Sequence, residues 1–334
     1  VSGAAITGWG FAVPERRVTN VDLEAWLDTN DAWITERTGI RERRWASEGE
    51  STATLATDAG AAAIKSAGLT PSDIDLLIVA TCSSETTVPH TGSWVSANLG
   101  LECGSFDLNA ACAGFVYATV VADALMQSQG FRNVLVIGSE TLSRFTDPND
   151  RGTVILFGDG AAAAVLQPGT PGGPGLIAAD LGCDGTAANI LYVPAGGSRQ
   201  PATHETVEQR DHFLKMNGKE VFRRAVRVII DSTEATLAKA GITAADIDWF
   251  VPHQANVRII ESACQRLDIP MDRTVINLDR YGNTSAASIP LALAEAVDDG
   301  RIKDGDLILV SGFGAGMTWA SALLRWGVPT GKDA

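Results

Sequence analysis

Residues Ser105 to Leu125 read SFDLNAACAGFVYATVVADAL. A short apolar run passes through a turn of small residues into a long, nearly uncharged helix pattern. Cys112 sits at that turn. A cysteine that meets the N-terminus of a buried helix feels the positive end of the helix dipole and nearby free N–H groups. Both favour the thiolate and lower its pKa below the free value of about 8.5. Ala110, Ala111, Ala113 and Gly114 leave room for a substrate carbonyl to reach the sulfur. The same residues suit a small buried hydrophobe equally well, and this segment alone leaves both readings open.

Working outward, the helix pattern STATLATDAGAAAIKSAG (51–68) leads into LTPSDIDLLIVATCSS (69–84), a turn and a buried strand. The phrase returns as AGITAADIDWFVPHQAN (240–256). Ala67-Gly68 recurs as Ala240-Gly241, 173 positions on, and Asp73-Ile74-Asp75 recurs as Asp246-Ile247-Asp248. At the same offset Cys112 falls on Ser285, and the strand from Val134 falls on the strand from Leu307. A correspondence without a net gap predicts a duplicated unit of alternating strands and helices. Near-continuous apolar strands imply an α/β fold with sheets covered on both faces. The halves divide as 1–172 and 173–334 at the linker QPGTPGGPG (167–175), with an inserted surface excursion over about 183–213.

The chain has 334 residues, a formal net charge of −14, 45% hydrophobic and 20% charged residues. That balance argues against nucleic acid or an anionic membrane as a partner. No basic leader with an apolar core opens the sequence, and no uncharged run reaches membrane-spanning length. The five cysteines are scattered without CxxC spacing, which predicts reduced thiols with neither a disulfide framework nor a zinc site. A cytoplasmic protein is expected.

Within WFVPHQANVRII (249–260), His253 lies just past the end of an apolar strand, where open α/β sheets place ligands. Asn283, in YGNTSAASIPLALAEA (281–296), lies in the turn aligned with the cysteine turn. It is either ordinary turn chemistry or a fixed amide donor. LVSGFGAGMTWA (309–320) is a Gly-rich turn without the P-loop lysine, suited to presenting a backbone N–H to an oxyanion. Asp159 reads as structural, and His90, His204 and His212 read as solvated loop residues. Thiol, imidazole and neutral amide are also the residue types of papain-like proteases, whose local pattern and fold this duplicated chain does not match.

The segments AACAGFVYA (110–118), VPHQANVRII (251–260), GNTSAASIP (282–290) and GFGAGMTW (312–319) resemble the signature segments of the β-ketoacyl-ACP synthase III family, of the thiolase superfamily. The resemblance runs from about Ile6 to Trp326. It implies a thiolase-like fold, five α-β-α-β-α layers from two duplicated halves, and a homodimer. It also implies an acyltransferase that takes an acyl-CoA primer on Cys112 and condenses it with malonyl-ACP, with His253 and Asn283 assisting decarboxylation. An enzyme of this branch that primes polyketide or specialised metabolism is the alternative.

Further roles follow from the same resemblance. The backbone N–H groups of Cys112 and Ala315 would form the oxyanion hole. Thr29, Trp33, Arg37, Arg151, Gly218, Lys219, Ala255 and Asn256 would bind CoA. Read without it, Trp33 is a packing aromatic and Arg37 a solvated charge beside Glu36. Gln254, Ala255, Asn256, Val257, Arg258, Arg223 and Arg266 would meet the acidic carrier protein. The basic run KMNGKEVFRRAVRVII (215–230), holding a single Glu220, supplies local positive charge in an acidic chain. An acyl tunnel would be lined by Leu142, Phe157, Leu214 and Phe313, with Val88 arriving from the partner subunit. Valine at 88, where many relatives carry a bulky aromatic, predicts tolerance of longer or branched primers. No cofactor or metal is expected, since the CoA thioester is a substrate.

Overall fold

Strands whose side chains alternate between two apolar environments need cover on both faces, and this chain builds two such sheets. The structure, a computed structural model, describes residues 3–328. The first sheet runs in the order β1 (Ala4–Ala12), β5 (Asp159–Pro168), β4 (Val134–Thr141), β2 (Leu76–Ala80), β3 (Gly104–Leu108). The second runs β6 (Gly175–Cys183), β9 (Thr318–Arg325), β8 (Leu307–Gly314), β7 (Trp249–Pro252). The pairing senses match: β1–β5 and β5–β4 are antiparallel and β4–β2 parallel, as β6–β9, β9–β8 and β8–β7 are. Where the second sheet would hold a counterpart of β3, the described residues form a single bridge between Phe250 and Thr274.

Residue parity sorts the strands into layers. Ile78, Val136 and Ala164 point to a core shared with Val251, Val310 and Ala322 of the other sheet. Between the sheets lie the apolar helices α3 (Gly114–Gln129) and α6 (Ser288–Asp298). Leu77, Val79, Leu135 and Ile137 face the opposite way, under α2 (Thr52–Ser66). Phe250 and Leu309 likewise face α4 (Gly218–Ala240) and α5 (Val257–Leu267). The result is the five-layered α-β-α-β-α thiolase fold. One segment, Ala111–Gln129, is long and apolar enough to cross a membrane, and it occupies the central layer between the sheets.

The repeat holds, with one correction. Thr70 and Thr243 cap matching 3-10 turns through Asp73 and Asp246, 173 residues apart. At the nucleophile turn the spacing has become 174. Ala111 (φ 47°) matches Ser285 (φ 48°), and helices α3 and α6 begin at Gly114 and Ser288. Asn109 Oδ1 accepts the Ala111 N–H at 3.1 Å, as Asn283 Oδ1 accepts the Ser285 N–H at 2.8 Å. Cys112 therefore matches Ala286, and Asn283 matches Asn109. The extra residue lies between Asp248 and Asn283, and it carries on into the next strand. Asp75 accepts the N–H of Asn133, while Asp248 accepts that of Leu307.

The two turns are held together by glycines on β4 and β8. A Cβ at Gly138 would stand 2.3 Å from the Ala286 carbonyl oxygen, and one at Gly312 would stand 3.3 Å from the Cys112 oxygen. Gly138→Ala is accordingly expected to cost about 1–3 kcal/mol through overpacking. Gly104→Ala, whose new Cβ would meet only Leu76 Cδ1 at 3.7 Å, should be close to neutral. Thermal denaturation of the two variants checks this, and equal midpoints would count against the close approach.

Candidate active site

The Asx turn at Asn109 and the positive φ of Ala111 bring Cys112 to the start of α3, at the floor of a cavity of about 130 Å³. Cys112, His253 and Asn283 all border this cavity, together with Phe157, Phe313 and Gly314. A Cβ at Gly314 would lie 2.5 Å from the Cys112 nitrogen, so β8 ends against the nucleophile's backbone. Ala315 follows it, heading the 3-10 turn Ala315–Met317.

Burial dominates the titration of the site. Cys112 is 7% exposed. Desolvation pushes its thiol up to about 12, while the neighbouring Ser285 hydroxyl works the other way and the nearby Glu140 charge adds to the rise. Burial thus opposes the lowering expected from the helix terminus. His253 is equally buried, and desolvation lowers its pKa to about 3, so the imidazole is neutral at physiological pH.

Ser288 sets the tautomer of that imidazole. Its hydroxyl lies 2.6 Å from His253 Nδ1 and accepts the Gln254 N–H at 3.4 Å. With its own proton given to Nδ1, that hydroxyl holds the ring proton on Nε2, the tautomer that can donate into the cavity. The edge of the His253 ring also meets Phe313, with centroids 5.3 Å apart at 71°. Asn283 Oδ1 is committed to the Ser285 N–H, which leaves its Nδ2 as the group to donate into the cavity. Both His253 and Asn283 are thus neutral donors beside a thiol.

Sequence reasoning did not single out Ser288. The signal lay in the repeat: Ala80 matches His253 and Gly114 matches Ser288. In the first half these two pack with a hypothetical Gly114 Cβ only 3.2 Å from Ala80 Cβ. The second half converts that close approach into a hydrogen bond.

Gly218, Ala255 and Asn256 border the cavity, at the starts of α4 and α5. Asn256 Nδ2 donates to the Arg37 carbonyl at 3.1 Å and ties the rim to helix Asp31–Thr38. There the guanidinium groups of Arg37 and Arg151 each lie over the Trp33 ring, 4.8 Å from its centroid. Thr29 Oγ1 nearby is buried without a hydrogen-bond partner. Lys219 is exposed and does not border the cavity.

Several expectations change. Gln254 is 1% exposed, and its amide is spent on Pro252 O, Val275 O and the Asn277 and Leu278 N–H groups. It braces the turn and is out of reach of a docking protein. Val257 is partly buried against the core beneath α5 and lies close to Gly39. Arg258 and Arg266 are exposed and, with Lys219, form no ion pair among the described residues. Arg223, Arg224 and Arg227 instead pair with Glu220, Asp184 and Asp231 at 2.7, 2.6 and 3.4 Å, so the basic run is more neutralised than its composition suggests.

Of the expected tunnel residues, Phe157 and Phe313 border the cavity while Leu142 and Leu214 do not. Leu142 is buried in the 3-10 turn Leu142–Arg144, and the Leu214 N–H is tied to the Phe145 carbonyl just beyond that turn. Val88 is 84% exposed on this chain. Met216 and Leu191, from the segment linking β6 to α4, supply apolar wall in their place. Asp159 is buried and accepts from Ala46 and Ser143, a structural tie. His90 and His212 are half-buried and bonded to Ser105 and Thr206 rather than solvated.

A buried cysteine at a helix start, facing an imidazole and an amide across a two-sheet duplicated core, defines a thiolase-fold acyltransferase. Residues 106–185 match the family described as 3-oxoacyl-[acyl-carrier-protein (ACP)] synthase III, and residues 237–326 match its C-terminal part. The chain is 50% identical over 324 residues to the β-ketoacyl-[acyl-carrier-protein] synthase III of Roseiflexus sp., covering 97% of this chain and 98% of that protein. The crystal structure of the Thermus thermophilus β-ketoacyl-[acyl carrier protein] synthase III superposes with TM-score 0.90 at 46% identity, over 97% and 99% of the two chains. The priming β-ketosynthase of the R1128 polyketide pathway superposes with TM-score 0.89 at 36% identity, over 98% and 97%. This chain belongs to the β-ketoacyl-[acyl-carrier-protein] synthase III family.

If burial keeps Cys112 protonated at rest, its alkylation by iodoacetamide should keep rising with pH beyond 9. Mass spectrometry of the Cys112 peptide between pH 6 and 10 reads this. A plateau near 8.5 would mean an unperturbed thiol.

Proposed function

We propose that this chain catalyses the initiating condensation of fatty acid synthesis, joining an acyl-CoA primer to malonyl-ACP to give 3-oxoacyl-ACP, CoA and carbon dioxide. The observation that carries the reading is the single cavity bordered by one thiol and two neutral donors. Cys112 attacks the thioester carbonyl, and CoA leaves an acyl-enzyme. The N–H groups of Cys112 and Ala315 hold the oxyanion. Malonyl-ACP then loses carbon dioxide, and His253 Nε2–H and Asn283 Nδ2 donate to the enolate oxygen that develops. The carbanion attacks acyl-Cys112. The 50% identity lies with a protein named β-ketoacyl-[acyl-carrier-protein] synthase III and 36% with the polyketide priming enzyme, which favours the former reading.

The Arg37–Trp33–Arg151 group at the rim suits an adenine slot, with Arg37 and Thr29 near its phosphates. Neither a cofactor nor a metal takes part in this scheme. Docking of an acidic carrier protein falls to Arg258 and Arg266, which pair with no carboxylate among the described residues, with Arg223 in a secondary role. A homodimer in the cytoplasm completes the reading, with the exposed Val88 of each protomer entering the other's tunnel.

The two half-reactions should separate. Cys112→Ala should abolish acyl-enzyme formation while sparing malonyl-ACP decarboxylation. His253→Ala or Asn283→Ala should slow decarboxylation by a factor of about 10²–10³, the usual worth of an oxyanion donor. Decarboxylation by Cys112→Ala should show no step near pH 6.5, because His253 gains its proton only as pH falls toward about 3. Unchanged decarboxylation in either donor variant would remove that assignment. Arg258→Glu should raise the malonyl-ACP KM far more than the acyl-CoA KM, and the wild-type value should rise with salt. A kcat/KM ranking of acyl-CoAs should place longer or branched primers at or above acetyl, and strict acetyl preference would refute the role given to Val88.

A further inference from the structure

One buried amide joins the two stretches of chain that carry the neutral donors. Gln254 follows His253 directly and is 1% exposed. Its Nε2 donates to the carbonyls of Pro252 and Val275 at 2.8 and 3.0 Å. Its Oε1 accepts the N–H groups of Asn277 and Leu278 at 3.0 and 3.3 Å. Both N–H donors and both acceptor sites of the amide are thus in use. The backbone N–H of Gln254 also reaches the Ser288 hydroxyl that orients the His253 ring.

The two halves reach their matching asparagines by different routes. In the first, β3 pairs with β2 as far as Leu108, whose carbonyl accepts the Thr81 N–H, and Asn109 follows at once. Thr81 is the residue that matches Gln254. In the second half the described residues pair only at the Phe250–Thr274 bridge, and the chain then passes through the short helix Leu278–Tyr281. The leading N–H groups of a helix need acceptors from outside it. Asn277, its N-cap, makes no side-chain cap, and its amide donates to Glu295 at 2.8 Å. Gln254 supplies the acceptor instead. At the far end the Gly282 N–H closes on the Leu278 carbonyl, and Asn283 comes next. Backbone bonds from Asn283 to Leu156 and Gly158 fix its place beside Phe157 rather than its distance from His253. A side chain has taken over from strand pairing.

We propose that Gln254 is a positioning residue that sets the separation of His253 and Asn283, through the bonds its amide makes to Pro252, Val275, Asn277 and Leu278. The proposal rests on those two donors acting together on malonyl-ACP. Donors that converge on one developing oxyanion must keep a fixed separation, and a misplacement of about 1 Å can cost 10²-fold in rate. Acylation of Cys112 needs no such agreement, because the cysteine and its helix belong to the other half. Glutamine suits the place because it offers two donors and a double acceptor without charge. A carboxylate there would set an oxygen against two carbonyls. Gln254 touches no substrate and acts only through the donors it holds.

The test follows malonyl-ACP decarboxylation and acyl-Cys112 formation on one preparation, so that their ratio is independent of any unfolded fraction. Gln254→Met keeps the length of the side chain and removes its four hydrogen bonds. Its decarboxylation kcat should fall about tenfold or more, with acyl-Cys112 formation and the malonyl-ACP KM each within about threefold of the unaltered enzyme. Gln254→Glu keeps an acceptor for Asn277 and Leu278 but must be protonated to donate to a carbonyl. Its decarboxylation rate, relative to the unaltered enzyme at the same pH, should therefore be higher at pH 5.5 than at pH 8.5. The other groups bonded to Gln254 are backbone amides and the Ser288 hydroxyl, and the adjoining His253 stays neutral across that range. Equal losses in the two half-reactions, or an unchanged ratio in Gln254→Met, overturn the proposal. A raised malonyl-ACP KM at unchanged kcat also overturns it, since that marks a carrier contact. Absence of malonyl-ACP decarboxylation in the unaltered enzyme would instead overturn the functional reading beneath it.

Discussion

The rest of the structure depends on the close packing of two turns, one from each half, at the centre of the molecule. Cys112 ends its turn against Gly312 and Gly314, and Ala286 ends the matching turn against Gly138. Glycine on β4 and β8 lets each strand approach backbone to backbone, and no side chain could be placed between them. That contact sets the distance between the two sheets and fixes where α3 and α6 begin. It also brings a thiol from one half within reach of an imidazole and an amide from the other.

Burial then makes the site reactive in a particular sense. The same desolvation raises the Cys112 thiol and lowers the His253 imidazole, so both are neutral at rest. A neutral imidazole with its proton on Nε2 is a hydrogen-bond donor that costs no ion pair to maintain. The thiol, by contrast, must lose its proton inside an apolar core. The two halves are not equivalent at this site. Where the first half has Ala80 and Gly114 in simple contact, the second has His253 and Ser288 hydrogen-bonded. Where the first half has Ala111, the second has Ser285.

The acidic surface is organised by pairing as much as by composition. The arginines of α4 look like a basic stripe in the sequence, yet each has a carboxylate within 3.4 Å. Exposed pairs of this kind add little stability, but they remove free charge from the face. Arg258 and Arg266 of α5, by contrast, make no ion pair among the described residues.

The sequence by itself determined the α/β class, the duplication and the identity of Cys112, His253 and Asn283 as candidates. Those features are carried by periodicity, recurring phrases and local turn chemistry, all of which survive in one dimension. It misjudged what depends on neighbours distant in the chain. The one-residue step between Asp248 and Asn283 was invisible, because small residues align almost equally well at either offset. The buried brace at Gln254, the displacement of Leu142 and Leu214 from the cavity, and the ion pairs of α4 likewise depend on partners far away in sequence. So does the Cys112 pKa, where the helix terminus is a local effect and desolvation a global one. Only the tertiary structure could decide between them, because burial is a property of everything that surrounds the sulfur.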